Sequence, residues 1–146
     1  MPSQTRFSVV ITSYNYRDYV TAVVDGALGQ SHRPCDVIVV DDKSSDGSAQ
    51  LLRERYGVDP RVTLVCQDNA GQLSAFRAGL RHARGDIVCF LDSDDHWSPD
   101  YLHKLAQAYA SGGTDFIISD MQVFDQESRS RLGGRKSGKP TPLPTQ

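Results

Sequence analysis

Short, nearly continuous apolar runs alternate with helical patterns along this chain, and this alternation constrains the fold more than any other feature. The runs are rich in Val, Ile and Phe, which favour strands, and their lack of polar alternation indicates burial on both faces. The predicted strands are residues 7–12, 37–40, 62–66, 87–91 and 116–119. The sequence therefore predicts an α/β fold, with a mostly parallel, Rossmann-like sheet and helices on both faces.

Three of the helical patterns have an apolar face that we expect to pack on the sheet. These faces are Tyr19, Val23, Val24, Ala27 and Leu28 in the first, Leu73, Phe76, Leu80 and Ala83 in a later one, and Leu102, Leu105 and Tyr109 in the last. Ser98 is a candidate N-cap for the last helix, and Pro99 suits its first turn, where the backbone N–H has no partner. Gly112 and Gly113 predict its end.

Length and charge exclude several classes of protein. A chain of 146 residues with 38% hydrophobic residues is sufficient for one folded domain, and a formal net charge of −2 does not favour nucleic acid as a partner. The sequence has no apolar run of membrane-spanning length, and its first six residues are too short and polar for a signal peptide. We expect a cytoplasmic protein, and peripheral contact with the inner face of the membrane remains open.

The last part of the chain has a different composition. Residues 128–146 are rich in Gly, Ser, Pro, Arg and Lys and have almost no apolar residues, so burial cannot offset the entropy of ordering them. We predict a domain over residues 1–127 and a disordered, basic tail over residues 128–146.

Polar and acidic side chains follow three of the predicted strands. The segments are Thr12-Ser13-Tyr14-Asn15, Asp41-Asp42-Lys43-Ser44 and Asp92-Ser93-Asp94-Asp95. Ligands of open parallel sheets bind beyond the carboxyl ends of the strands, so these segments are expected to converge on one cleft.

The pair Asp41 and Asp42 has two interpretations. Asp is common in turns and at helix starts, but a turn requires only one of the two carboxylates. The other carboxylate can accept hydrogen bonds from a base N–H or from ribose hydroxyls. Both residues are therefore candidate ligands for a nucleotide.

Three carboxylates, Asp92, Asp94 and Asp95, lie within four residues after an apolar strand. Their mutual repulsion is costly unless a positive charge is present, and a divalent cation is the simplest source. Oxygen ligands favour Mg²⁺ or Mn²⁺ over Zn²⁺, which prefers His or Cys. All three are predicted metal ligands.

Two further positions are candidate ligand contacts. The ring of Tyr14 could stack on a base, although a packed tyrosine is an equal alternative. Gln72 follows Asn69-Ala70-Gly71 at the start of a predicted helix, where free backbone N–H groups favour anions. Trp97, beside another helix start, is predicted to pack under that helix.

In order and spacing, these segments resemble the motifs of family 2 glycosyltransferases. The matching pieces are residues 9–15, 39–47, 69–71 and 90–95, and the resemblance extends over residues 7–124. It implies a GT-A fold and an inverting hexosyltransferase that uses a nucleotide-diphosphate sugar, with uracil as the usual base. The acceptor, a glycan, a lipid-linked group or a small molecule, is not indicated.

The resemblance also implies roles for single residues. Thr12, Tyr14 and Asp42 match residues that contact the nucleotide, while Asp92 and Asp94, the ends of a D-x-D motif, match residues that hold the ribose and the metal. Together with these, Asp41, Gln72 and Ser93 complete the set of candidate donor-binding residues.

No catalytic residue is identified. The general base of the family comes from a later segment, so we expect a fragment or a short form that binds the donor without its base. Asp120, Asp125 and Glu127 are the late acidic residues within reach.

Two alternative functions stay open. One is a non-catalytic nucleotide-binding module. The other is a two-component receiver domain, because its acidic pocket resembles the set Asp41, Asp42 and Asp92. A strand and a helix before Asp41, and the position of Lys139 in the polar tail, disfavour the receiver domain.

Overall fold

A computed structural model describes residues 4–112 and 115–119 of the chain. Its elements are β1 (Phe7–Ser13), α1 (Arg17–Leu28), β2 (Asp36–Asp41), α2 (Ser48–Tyr56), β3 (Val62–Cys66), α3 (Gln72–Leu80), β4 (Ile87–Asp92) and α4 (Tyr101–Ala110). All of these elements lie in one compact unit that ends at Gly112.

The four strands form one parallel sheet in the order β3-β2-β1-β4. Every residue of the central strands β1 and β2 is buried, as their continuous apolar runs predict. The α/β class and the first four predicted strands are confirmed, each to within one residue at either end.

Helices cover both faces of the sheet. One core cluster contains Val9 and Ile11 of β1 together with buried residues of α1, α2 and α4, whereas Val10, which points to the other face, packs with Ala75 of α3. Side chains of a strand alternate between the two faces, so one continuous run supplies both cores.

The predicted inner face of α3 is wrong in part. Ala75 and Gly79 are buried against the sheet, while the side chains of Leu73 and Leu80 are 74% and 49% exposed. A Cβ atom at Gly79 would overlap the Val10 side chain, so the helix lies too close to the sheet for large residues on that side. Tyr19 of α1 and Tyr109 of α4, also predicted to face inward, are exposed as well.

We expect Gly79→Ala to lower the free energy of unfolding by about 1–3 kcal/mol, because the added methyl group overpacks the contact with Val10. Gly26→Ala is the matched control, since Gly26 lies in α1 and a Cβ atom at that position would meet no neighbouring side chain within 4 Å. There the change removes backbone freedom from the unfolded chain and stabilises the fold by about 0.5–1 kcal/mol. Urea denaturation of both variants measures the two shifts, and shifts of the same sign would contradict this packing.

The start of α4 also differs from the prediction. The helix begins at Tyr101, and Asp100, not Ser98, is its N-cap, without a side-chain capping bond. Gln30, a buried residue that follows α1, accepts a hydrogen bond from the Leu102 N–H at 3.0 Å and donates one to the Ser98 carbonyl at 2.9 Å. A side chain distant in sequence therefore performs the capping that Ser98 was expected to perform.

The fifth predicted strand is not formed. Residues 116–119 have no regular secondary structure, and the side chains of Phe116 and Ile118 are 78% and 82% exposed. An apolar run becomes a strand only when a neighbouring strand pairs with it, and local sequence does not supply that partner.

Several predictions lie outside the described residues. They are the end of the domain at residue 127, the tail 128–146, Lys139 and the acids Asp120, Asp125 and Glu127. No described helix has the length and apolar character needed to cross a membrane.

Candidate functional site

A cleft opens at the carboxyl end of the sheet, where the direction of the chain connections reverses. From β1 the chain proceeds to β2 and β3 on one side and then returns to place β4 on the other side. This is the switch point at which open α/β sheets bind ligands. The cleft has a volume of about 360 Å³. It is lined by Thr12, Ser13, Tyr14, Tyr16, Asp42, Asn69, Gly71, Gln72, Ala75, Asp92, Ser93 and Asp94.

The loops after β1 and β2 are joined to each other by hydrogen bonds. The Asn15 N–H donates to Ser44 Oγ at 2.9 Å, and the Ser45 N–H donates to Asn15 Oδ1 at 2.8 Å. Asn15 and Lys43 both adopt left-handed backbone conformations, with φ of 59° and 60°. These hydrogen bonds hold together the two loops that contain Tyr14 and Asp42.

The structure separates the roles of the two adjacent aspartates. Asp41 Oδ2 accepts a hydrogen bond from the Ser44 N–H at 2.9 Å, which closes the turn after β2. Asp42, rather than Asp41, lines the cleft. Asp41 therefore has the structural role that one member of the pair was expected to have, and its assignment to donor binding stays a prediction.

Asp42 is a buried carboxylate with three hydrogen-bond donors. They are Gln67 Nε2 at 2.8 Å and the backbone N–H groups of Ala70 and Gly71 at 3.0 and 2.9 Å. Burial opposes ionisation of Asp42, but these hydrogen bonds outweigh it and hold its pKa below the ordinary value. The group is thus an ionised acceptor at one end of the cleft.

Asp92 and Asp94 lie in the same cleft and are held from different elements. Asp92 Oδ1 accepts hydrogen bonds from Thr12 Oγ1 at 3.4 Å and from Gln72 Nε2. The charge of Asp94, followed by burial and a hydrogen bond to that carboxylate, raises the pKa of Tyr16. Sequence reasoning missed Tyr16, whose signal is its position as the N-cap of α1, directly after the first motif.

Asp95 is close to Asp92 and Asp94 but is not among the residues that line the cleft. It is exposed, its N–H donates to the Asp92 carbonyl at 3.1 Å, and desolvation together with the charges of Asp94 and Asp92 raises its pKa. Within residues 4–112 and 115–119, no three His, Cys, Asp or Glu side chains are placed to hold one metal ion. The role of Asp95 as a metal ligand stays a prediction.

Trp97 packs against the core beside the start of α4, as predicted. Its ring stacks on that of Tyr101, with 4.5 Å between the ring centroids.

Seven of the eight candidate donor-binding residues are thus brought together in one cleft; Asp41 is the exception. The class of protein defined by this arrangement is an α/β domain with a carboxylate-rich cleft at the switch point of a parallel sheet. The glycosyl transferase family 2 profile matches residues 8–144, so the chain belongs to that family. The receiver-domain alternative is thereby set aside.

Curated relatives agree with the family. TuaG of Bacillus subtilis strain 168, a candidate teichuronic acid biosynthesis glycosyltransferase, is 42% identical over 121 residues, which are 82% of this chain and 48% of TuaG. The chain spans less than half the length of the first curated relatives it matches.

Solved structures show the same fold. S. aureus TarS in complex with UDP-GlcNAc has a TM-score of 0.67 and 28% identity, over 75% of this chain and 32% of that one. Mannosyltransferase PcManGT from Pyrobaculum calidifontis, in complex with GDP-Man and Mn²⁺, has a TM-score of 0.63 and 30% identity, over 73% and 32% of the two chains. The sheet and helices of this chain are therefore those of the GT-A fold.

Proposed function

We propose that this chain provides the donor-binding part of a metal-dependent, inverting glycosyltransferase that uses a nucleotide-diphosphate sugar, with UDP as the nucleotide. The main support for the proposal is that one cleft has two ends with different side chains. Asp42 follows β2, and Asp92 and Asp94 lie at the end of β4, on the opposite side of β1; these two sides are the two ends of the cleft, and we assign Tyr14, which follows β1, to the first. A nucleotide-diphosphate sugar has the complementary pair of groups, a base and a diphosphate.

The first end suits a nucleoside. The ring of Tyr14 is 47% exposed at the cleft, which leaves a face on which a base can stack. Asp42 is an acceptor only, so it favours a partner with an N–H or hydroxyl donor, such as the N3–H of uracil. Its three internal donors hold the carboxylate in place before a ligand arrives.

The second end suits a divalent ion that bridges phosphates. The side chains of Asp92 and Asp94 offer hard carboxylate oxygens, the ligands that Mn²⁺ and Mg²⁺ prefer, and no sulfur or imidazole lines the cleft in the described part of the chain. PcManGT, which shares this fold, was solved with GDP-Man and Mn²⁺. When bound, such an ion supplies positive charge that stabilises the departing diphosphate.

The residues of this chain then have separate tasks. Tyr14 and Asp42 bind and orient the nucleoside, Thr12 and Gln72 hold Asp92 at the diphosphate end, and Tyr16 lies near Asp94 there. Attack by an acceptor hydroxyl on the face opposite the diphosphate inverts the anomeric carbon. That hydroxyl must lose a proton, and the base that takes it is unassigned.

Release of nucleotide from a panel of UDP- and GDP-sugars, measured with Mn²⁺ and candidate acceptors, tests the activity. We expect acceptor-dependent release of UDP by a complete enzyme of this family. For this chain by itself, as the donor-binding part, metal-dependent UDP binding without release is the expected result; the same result for the complete enzyme would instead identify a nucleotide-binding module. Stronger release from GDP-sugars would contradict the assignment of uridine alone.

A further inference from the structure

Gln72 and Thr12 both donate to the same oxygen of Asp92. Gln72 Nε2 and Thr12 Oγ1 converge on Oδ1, so both bonds leave the second carboxylate oxygen, Oδ2, for another partner. The Thr12 contact is long, at 3.4 Å, and a hydrogen bond of that length is weak. Gln72 is therefore the main constraint on the orientation of the Asp92 carboxylate.

The backbone before Gln72 is fixed from the other end of the cleft. The N–H groups of Ala70 and Gly71 donate to Asp42 at 3.0 and 2.9 Å, and Gly71 has a φ of 85°, a conformation that favours glycine. Gln72 is the first residue of α3, directly after this anchor. Its side chain therefore starts from a defined position and reaches Asp92 across the cleft.

We propose that Gln72 is a positioning residue that makes Asp92 a one-oxygen ligand and thereby sets the ion selectivity of the site. The inference rests on the proposed function, in which Asp92 and Asp94 hold a divalent ion. Mn²⁺ and Mg²⁺ are small ions that accept six ligands in octahedral geometry. Ca²⁺ is larger and readily takes both oxygens of a carboxylate. A carboxylate with Oδ1 occupied by a side-chain amide favours the smaller ions.

The test compares the full chain with Gln72→Met, which keeps the length of the side chain and removes the donor. UDP binding is measured by calorimetry with Mn²⁺, Mg²⁺ or Ca²⁺, and binding of Mn²⁺ itself by electron paramagnetic resonance. Loss of a hydrogen-bond partner behind a metal ligand typically costs about 10–100-fold in metal affinity, so Mn²⁺-supported binding is expected to fall at least about tenfold. Ca²⁺-supported binding is retained or improves, because Asp92 becomes free to use both oxygens.

Two further variants test the contact itself. Gln72→Asn keeps the amide donor on a side chain that is one methylene shorter and no longer reaches Asp92, so it is expected to reduce the preference for Mn²⁺ over Ca²⁺ as Gln72→Met does. Gln50→Met is the matched control, because Gln50 is exposed on α2 and donates to Glu54 at 2.8 Å outside the cleft. It is expected to leave every ion preference unchanged.

The outcomes distinguish the inference from the function on which it rests. If the unaltered chain binds UDP equally with and without these ions, the proposed metal site fails and the inference fails with it. If the unaltered chain requires the ion but Gln72→Met keeps the original Mn²⁺ to Ca²⁺ ratio, only the inference is overturned. Equal weakening with all three ions would likewise overturn it, because that result indicates a general structural role.

Discussion

Asp94→Ala is expected to abolish metal-dependent UDP binding and to leave the fold intact. The variant removes one of the two cleft carboxylates that we assign to the metal ion, and the lost charge stabilisation corresponds to a loss in affinity of at least about 100-fold. Without a ligand, the melting temperature holds or rises, because a repulsive neighbour of Asp92 and Asp95 is removed. Calorimetry with Mn²⁺ and thermal denaturation without it measure the two effects.

Asp95→Ala is the comparison for this experiment. Asp95 is adjacent in sequence but lies outside the residues that line the cleft, so its loss is expected to weaken binding much less. An equal loss in both variants would make Asp95 a third ligand, as the sequence predicts. A large loss of stability in Asp94→Ala without ligand would contradict the assignment of Asp94 to metal binding and indicate a structural role.

Asp42→Asn is the second change with a large expected effect. The amide keeps one acceptor oxygen and replaces the other with an NH₂ group, so it loses either the hydrogen bond from Gly71 or those from Gln67 and Ala70. A buried donor left without a partner costs about 1–3 kcal/mol, so we expect a loss of stability in that range together with weaker UDP binding. Urea denaturation and calorimetry check the two results, and Gln50→Met serves again as the neutral control.

The same carboxylate predicts the direction of a pH effect. Because the pKa of Asp42 is lowered in the folded state, its ionised form stabilises the fold above the ordinary pKa, and this stabilisation is lost as pH falls through the folded-state pKa. We therefore expect the difference in unfolding free energy between the unaltered chain and Asp42→Asn to shrink below about pH 4, the ordinary range for Asp. A difference that grows on acidification would contradict the sign of this shift.

The sheet could be predicted from the sequence because burial on both faces leaves a direct pattern, a continuous apolar run. The helix faces could not be predicted as well, since they depend on how closely each helix approaches the sheet. Gly79 and Ala75 permit a close approach of α3, and this places Leu73 and Leu80 in solvent. Contacts between distant positions are also absent from local patterns, as the capping of α4 by Gln30 shows.

The candidate site was predictable to the extent that strand ends determine it. Parallel strands end at one edge, so their polar termini were expected to meet, and they do. Which of Asp41 and Asp42 faces the cleft is a matter of turn geometry, which the sequence leaves open. Tyr16 lies near Asp94 although it is remote from it in sequence, and the contact between Gln72 and Asp92 joins the start of α3 to the end of β4; neither proximity leaves a local pattern in the sequence.

Calorimetric titration of UDP into the full chain, with Mn²⁺ and then with excess chelator, measures whether the cleft binds UDP through a metal ion. We expect clear binding with Mn²⁺ and loss of that binding with chelator, because in the proposed site Asp92 and Asp94 hold the diphosphate through the ion. Both results are to be repeated with Asp94→Ala, which is expected to behave like the chelated protein. Equal UDP affinity with and without chelator would show that Asp92 and Asp94 do not bind UDP through an ion.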